Sequence, residues 1–599
     1  MRRVLEKKGW VTGSCFLILA LLLPPWLPSF YVHILILMTI FAIFAMSLDI
    51  LMGYAGLPSL GHAAFFGVGA YTVGLLAVKF GYPWWAAVLI ALLLCTLTGA
   101  LFGLVALRTV GLYFMLITLA LGEILWGLAN RWGSFTGGYN GLPDIPRPFA
   151  AVSTTLSFYY LALALFLVAG VPMYLLVRSP FGLSLQGIRD SESRMRMLGY
   201  NVWLHKYVAF VICGLFAGSA GIMSAYYNGF ISPLDLSLST SAEALLMVIL
   251  GGAGTLVGPI IGAVVIVALR NFLSIYIARW LIVLGAIFIF TVLYAPDGVM
   301  GWLNARRRKS TAPGDWSSMD PTDPAEGIVH SVEAARLPVT QTGAHQESDS
   351  SNPVLRLDSV TKSFGGLLAV RDVSLNVRAG ERVGILGPNG AGKTTLFHLV
   401  SGLLRPTSGR ILLFDQDITR LPPNRRVALG LSRTYQITNL FPTLTTLDNL
   451  RLALISLEGS KFLMHRPTHN LEDVNERARS LLEKIGLWEA REVEVRYLSY
   501  GHQRQLEVVM ALALQPKILL LDEPTAGLST AEVGPIVRMI HSLPREITIL
   551  IIEHDMDVAF EVAERILVFN HGEKLAEGIR EEIRVNPDVR KIYLGRQAR

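Results

Sequence analysis

Cysteine is scarce: three in 599 residues. Cys15, Cys95 and Cys213 are widely separated and lie in apolar sequence, so they read as small hydrophobes. Their spacing excludes a disulfide framework and a cysteine metal site. Charge is missing from a whole stretch: between Trp10 and Lys79 the only charged residue is Asp49. A cleavable leader is not expected either. Pro24, Pro25 and Pro28 interrupt the first apolar run, no small-residue cleavage site follows, and the run reads as a retained span.

The chain carries a net charge of +7, and its pI is near 9.2. Its basic residues cluster at Arg2, Arg3, Lys7 and Lys8, at Arg189, Arg194 and Arg196, and at Arg306, Arg307, Arg308 and Lys309. These are short loops beside apolar spans, the positive-inside pattern, and they argue against nucleic acid as the partner. Hydrophobic residues make up 52%, and the mean hydropathy is +0.49. The apolar content sits in the first half and charges are frequent beyond Arg306, so a membrane domain is expected ahead of a soluble one.

Spans of roughly 20 apolar residues are expected near 11–30, 32–54, 60–79, 84–107, 110–130, 155–177, 205–227, 239–252, 257–272 and 278–297. The eighth and ninth are short and meet at Gly251-Gly252-Ala253-Gly254, as broken helices do where backbone lines a protein interior. About ten spans keep both ends of this half on the cytoplasmic side. The run from Gly53 to Gly67 is rich in small residues suited to close helix packing, with His62 as a polar group at membrane depth. Asp49, Glu123 and Glu243 either pair within the bundle or line a pathway. Thr136–Leu142 reads as an outer connector. Residues 187–199 read as a short helix with Met195 and Leu198 on one face and Gly199 ending it.

The expected domains are a membrane domain over 1–302, a linker over 303–352 and a soluble domain over 353–599. From Ser310 to Asn352 the chain is rich in Ser, Thr, Pro, Asp and Gly, and it buries too little to fold alone. As a flexible coil it spans about 35–40 Å, a tether that holds the soluble domain near the membrane.

The soluble half opens with a strand, Arg382–Leu386, then Gly387-Pro388-Asn389-Gly390-Ala391-Gly392-Lys393-Thr394-Thr395, then an apolar run that begins a helix. This strand–loop–helix context makes GxxxxGK[ST] a phosphate cradle: glycines turn backbone N–H groups inward and the helix N-terminus adds positive potential. Lys393 is placed to reach the β/γ-phosphates and Thr394 to hold Mg²⁺. Further along stand Gln436, the run Leu498-Ser499-Tyr500-Gly501-His502-Gln503, a strand ending in Asp522-Glu523, and a strand ending in Glu553-His554. Each is weak alone.

In this order they resemble the ATP-binding cassette (ABC) ATPases over 353–599. The resemblance implies an α/β P-loop fold, ATP and Mg²⁺ as cofactors, and ATP hydrolysis. It implies that Phe364 stacks on adenine, that Asp522, Thr394 and Gln436 hold the Mg²⁺ shell, and that Glu523 polarises the attacking water. His554 then contacts the γ-phosphate, and Gln436 senses it while touching the membrane domain. Ser499 and Gly501 match the signature that acts on a partner's ATP. Two departures stand out: the signature LSGGQ reads LSYGH here, and the D-loop reads Ala526-Gly527-Leu528-Ser529 without its usual Asp.

Finer details resemble the bacterial branched-chain amino acid ABC importers. They are Phe364-Gly365-Gly366-Leu367, the Tyr-Gly signature and the ending Asn586-Pro587-Asp588-Val589 with Tyr593-Leu594-Gly595. In the membrane half they are the SLGHAAFFG run, Gly111-Leu112-Tyr113-Phe114, the Thr-Gly-Gly loop, and Ile249 to Pro259. The resemblance implies a polytopic α-helical permease fused to its ATPase, in the bacterial inner membrane with the ATPase cytoplasmic. It also implies a second permease, a second ATP-binding subunit and an extracytoplasmic binding protein. The 189–199 helix then sits in the ATPase cleft near Gln436. Three other readings compete: an importer of urea, short amides or aromatic carboxylates; an exporter half-transporter; and a tethered ATPase without transport.

Overall fold

The computed structural model describes residues 18–276, 279–309, 353–434, 439–528 and 530–594. Cys15, the basic residues before Val11, the 310–352 tether, Gln436, Ser529 and Gly595 lie outside them. Two compact units emerge. The first holds the described residues of 18–189, 203–309 and 464–466; the second holds 190–202, 353–463 and 467–594.

The first unit is helical: α1 (Ser29–Asp49), α2 (Ala63–Val78), α3 (Trp84–Ala106), α4 (Leu112–Arg131), α5 (Thr155–Arg178), α6 (Pro180–Asp190), α7 (Val202–Asn228), α8 (Leu238–Gly251), α9 (Val257–Tyr276), α10 (Trp280–Tyr294) and α11 (Gly298–Lys309). Among the described residues, seven helical stretches are long and apolar enough to cross a membrane, and α2 and α8 are shorter apolar helices. The first of the seven, Ser29–Tyr54, is 83% buried within the protein, against 22% for Leu112–Arg131. The α1 helix is therefore the axis of the bundle, while α4 presents apolar side chains to the surroundings.

The sequence expectation differs from this in number and in length: about ten spans are expected, against seven of membrane length among the described residues. The ninth span is not short: α9 runs to Tyr276. The last expected span agrees with α10, which ends at Tyr294, and a separate helix, α11, begins after a break at Gly298, whose φ is +65°.

The turn after α1 is built by sequence. A π-turn over Ile50–Tyr54 ends it and the chain runs irregularly to α2. The Asp49 carboxylate accepts from the backbone N–H groups of Gly254 (2.7 Å) and Leu256 (3.1 Å), so one acid caps the glycine-rich break between α8 and α9. A Cβ on Gly53 would lie 2.1 Å from the Gly254 nitrogen, which explains the glycine. His62 is buried, hydrogen-bonded to Ser47 (2.8 Å) and stacked on Phe44. Glu123 is exposed on α4.

The second unit contains two sheets. The strands are β1 (Leu355–Phe364), β2 (Leu367–Val377), β3 (Arg382–Leu386), β4 (Ser408–Leu413), β5 (Gln416–Asp417), β6 (Leu431–Arg433), β7 (Ile518–Asp522), β8 (Thr548–Ile552), β9 (Arg565–Asn570) and β10 (Glu573–Gly578). One sheet has the order β2-β1-β4-β5 and is antiparallel; the other has the order β10-β9-β3-β8-β7-β6. Strands β3, β7 and β8 are buried at every residue, as parallel strands covered on both faces must be. Their parallel pairing brings the C-terminal ends of β3, β7 and β8 to one edge, where open α/β sheets place their ligands.

Candidate functional site

Three of the sequence-predicted groups meet at that edge. Strand β3 runs into Gly387–Gly392, and the helix Lys393–Ser401 starts directly after it. Gly390 and Gly392 have φ of +80° and +98°, a region L side chains rarely adopt. A Cβ on Gly392 would lie 2.2 Å from the Ala369 carbonyl oxygen, whereas one on Gly390 would meet nothing within 4 Å, so the loop is closed on one side and open on the other. Pro388 accepts from Ala391 N–H (3.2 Å), and Asn389 stands between Pro388 and Gly390 in that turn. Thr394 and Thr395 occupy the first turn of the helix, half-buried.

The Lys393 ammonium donates to the carbonyls of Gly387 (2.7 Å) and Pro388 (3.0 Å), folded back over its own loop. Burial lowers its pKa, while Glu523 and Asp522 pull the other way. Asp522 ends β7 and is buried. Its Oδ2 accepts from Arg433 (2.7 Å), and its Oδ1 is buried without a hydrogen-bond partner. A buried acceptor with nothing to accept costs free energy, and the water shell of a bound cation satisfies it. With the half-buried Thr394 hydroxyl and the open loop, this donor set fits Mg²⁺ carried by a nucleotide phosphate.

Glu523 follows at a φ of +47°, strained for an acid. Its Oε1 lies 2.6 Å from Nε2 of His554, so the two side chains named from separate motifs form one pair. Phe364 ends β1 and is 47% exposed, and the Lys362 ammonium lies 5.1 Å from its ring centroid. Ser499 caps the helix Tyr500–Ala513: its Oγ bonds to Nδ1 of His502 (2.7 Å). Gly501 is buried in the first turn, and the Tyr500 hydroxyl donates to the Ala526 carbonyl (3.2 Å), in the turn that follows Glu523.

Some functional groups escaped sequence reasoning. Arg433 is 1% exposed, pairs with Asp522 and bonds to Ser401 Oγ (3.1 Å). Strand pairing sets Arg433 beside Leu520, two residues before Asp522, an adjacency no local pattern displays. Glu553, the residue before His554, is buried and accepts from the Thr525 N–H (3.2 Å) and hydroxyl (2.9 Å). Burial, with a further contribution from the Glu523 charge, pushes its carboxyl up to about 7 against the pull of those hydrogen bonds.

Residues 190–202 form part of this unit. A helix over Glu192–Met197 starts at the Ser191 cap, and Gly199 ends it at a φ of +88°. Met195 and Leu198 are both buried. Arg194 pairs with Glu507 at 2.9 Å, and Arg504 pairs with the other Glu507 oxygen at 3.0 Å; all three side chains are at most 3% exposed. The Tyr200 hydroxyl donates to the Leu452 carbonyl (2.9 Å), Lys461 donates to the Gly199 carbonyl (3.0 Å), and Asp190 Oδ2 accepts from the Thr443 hydroxyl (2.6 Å). The segment is seated on the helices Thr446–Leu457 and Tyr500–Ala513.

A phosphate loop, an Asp-Glu strand end and a facing histidine on one sheet edge, in a chain that also holds membrane-length helices, define an ABC transporter ATPase joined to a membrane domain. Comparison with known proteins narrows the class. Residues 30–292 match the family described as branched-chain amino acid transport system / permease component. Residues 370–526 match ABC transporter, and 573–599 match branched-chain amino acid ATP-binding cassette transporter. The chain is 41% identical over 252 residues to the high-affinity branched-chain amino acid transport ATP-binding protein LivG of Escherichia coli, an alignment that covers 41% of this chain and 99% of LivG. BraF of Pseudomonas aeruginosa, of the same description, is 39% identical, with 41% and 99% covered. The lipopolysaccharide export system ATP-binding protein LptB of Acidithiobacillus ferridurans is 38% identical over 245 residues, with 41% and 98% covered. The chain belongs to the branched-chain amino acid ABC transporter family, with permease and ATPase domains in one polypeptide.

Proposed function

We propose that this chain couples ATP hydrolysis to the import of branched-chain or related hydrophobic amino acids across the bacterial inner membrane. It supplies one permease (1–302) and one ATPase (353–599), joined by the 303–352 tether. The observation that carries the reading is the permease match over 30–292. The cassette alone resembles LivG and an export ATPase nearly equally, so direction rests on the membrane half.

In the cassette, Gly387, Pro388, Asn389, Gly390, Ala391, Gly392, Lys393, Thr394 and Thr395 bind the phosphates and Phe364 stacks on adenine. Lys393 leaves its own loop carbonyls for the β/γ-oxygens, where it neutralises developing charge. Thr394, Gln436 and Asp522 would hold Mg²⁺, which would supply charge neutralisation to the phosphates. Arg433 fixes one Asp522 oxygen so that the other faces the nucleotide. Glu523 takes the proton of the attacking water, and His554, 2.6 Å from it, orients Glu523 and contacts the γ-phosphate. Ser499 and Gly501 serve the ATP held by another cassette, so this chain completes only half of each site. The remaining partners are a second permease, a second ATPase and an extracytoplasmic binding protein.

The segment 190–202 transmits closure of the cassettes to the membrane helices, since its seat on Glu507 and Leu452 is buried and polar. Uptake assayed with and without the purified binding protein tests the reading. Binding-protein-dependent uptake of leucine, isoleucine or valine is expected. Uptake of urea, amides or aromatic acids alone reassigns the substrate, and independence from the binding protein favours an exporter.

A further inference from the structure

The membrane unit contains an ion pair between two of its helices. Arg270 on α9 lies 3.2 Å from Glu243 on α8. Their side chains remain 29% and 18% exposed, against 3% and 1% for the sealed Arg194–Glu507 pair of the second unit. Charges within membrane helices are costly, and a bridge between them adds little that packed apolar side chains would not. A pair retained in an apolar bundle and left open on one side is therefore a candidate for ligand chemistry.

Its surroundings narrow the ligand. The Arg270 guanidinium lies 5.0 Å from the centroid of the Phe41 ring, and Phe66 stacks on Phe41 at 6.2 Å. Phe41, Leu37 and His33 follow one another at four-residue spacing along α1, so they line one face of the axial helix. His33 bonds to the Tyr227 hydroxyl (2.6 Å), at the end of α7 remote from Val202. The place thus offers a fixed cation, a fixed anion beside it, and an aromatic and aliphatic wall.

We propose that Arg270 and Glu243 form a binding site for the main-chain charges of a free α-amino acid zwitterion. Arg270 takes the carboxylate as a planar fork, Glu243 accepts from the ammonium, and the aliphatic side chain lies against Phe41 and Leu37. Separating the pair to admit the zwitterion exchanges one ion pair for two, with no net charge entering the bundle. A urea or amide offers neither charge and an aromatic carboxylate offers only one, so the site selects against the rival substrates. This inference rests on the amino acid reading of the function.

The test uses the complete importer with its binding protein in proteoliposomes, and reads leucine accumulated per ATP hydrolysed. The ratio normalises for loss of folded protein. Glu243→Gln and Arg270→Gln are expected to lower it about tenfold. Glu243→Asp, which keeps the charge and shortens its reach, is expected to lower it several-fold and covers the case in which the neutral variants do not fold. A wild-type ratio in the variants that hydrolyse ATP shows that the pair only joins α8 to α9 and overturns the proposal. Failure of the wild type itself to accumulate leucine, isoleucine or valine overturns the functional reading instead.

Discussion

Replacing Glu507 with alanine should destabilise the cassette more than any single surface change. Its carboxylate bridges Arg194 at 2.9 Å and Arg504 at 3.0 Å, and the three side chains are 1–3% exposed. Without it, both buried guanidinium groups lose the carboxylate they share. Removing one partner of a buried charge pair costs about 3–5 kcal/mol. For a unit of this size each kcal/mol shifts the melting temperature by roughly 2–4 °C, so a loss of about 6–20 °C is expected. The assay is calorimetry of the detergent-purified chain, following the transition that ATP raises, because a ligand that binds only the folded cassette stabilises it. A shift below about 2 °C refutes the reasoning, since the triad would then carry no charge balance of its own. Transport should fall further than ATP binding, because Arg194 belongs to the segment on which coupling depends.

Glu523→Gln should keep ATP binding and slow hydrolysis at this chain's own site by about 10²–10⁴-fold, read in single-turnover assays; persisting hydrolysis would remove Glu523 as the base. Glu553 should make the cassette less stable as pH rises. Its folded pKa of about 7 lies above the ordinary carboxyl value, so its contribution is complete in acid and is lost as pH passes through 7. The difference amounts to at most about 3 kcal/mol. Melting from pH 5 to pH 8 should therefore fall less steeply in Glu553→Gln than in the wild type. Gly392→Ala should abolish labelling by a photoreactive ATP analogue, because its Cβ would lie 2.2 Å from the Ala369 oxygen at a φ of +98°.

The nucleotide site was legible because its chemistry is written in contiguous residues. A glycine-rich loop must follow a strand, and Asp522-Glu523 must end one, so Gly387–Thr395 and the acids could be placed on one edge from local pattern alone. Arg433–Asp522 was not legible, since it arises only when β6 and β7 lie side by side. Glu553 was visible but silent: its shifted carboxyl depends on Thr525, 28 residues away. The same holds for Arg194 and Glu507, 313 residues apart. In the membrane half, hydropathy located most of the described helices but not their lengths, and about ten spans were expected where seven described helices have membrane length. Asp49 stood out as a lone charge, yet its role as cap of the break at Gly254 and Leu256 required the fold to bring α1 and α9 together.

ATP-driven accumulation in proteoliposomes tests the central claim most directly. The full complement of subunits, with ATP inside and the binding protein outside, should concentrate leucine, isoleucine or valine above the external level. The same vesicles bearing Lys393→Ala should not. Equal internal and external levels in the wild type would contradict the account, as would accumulation that survives Lys393→Ala combined with replacement of the phosphate-loop lysine of the second ATP-binding subunit.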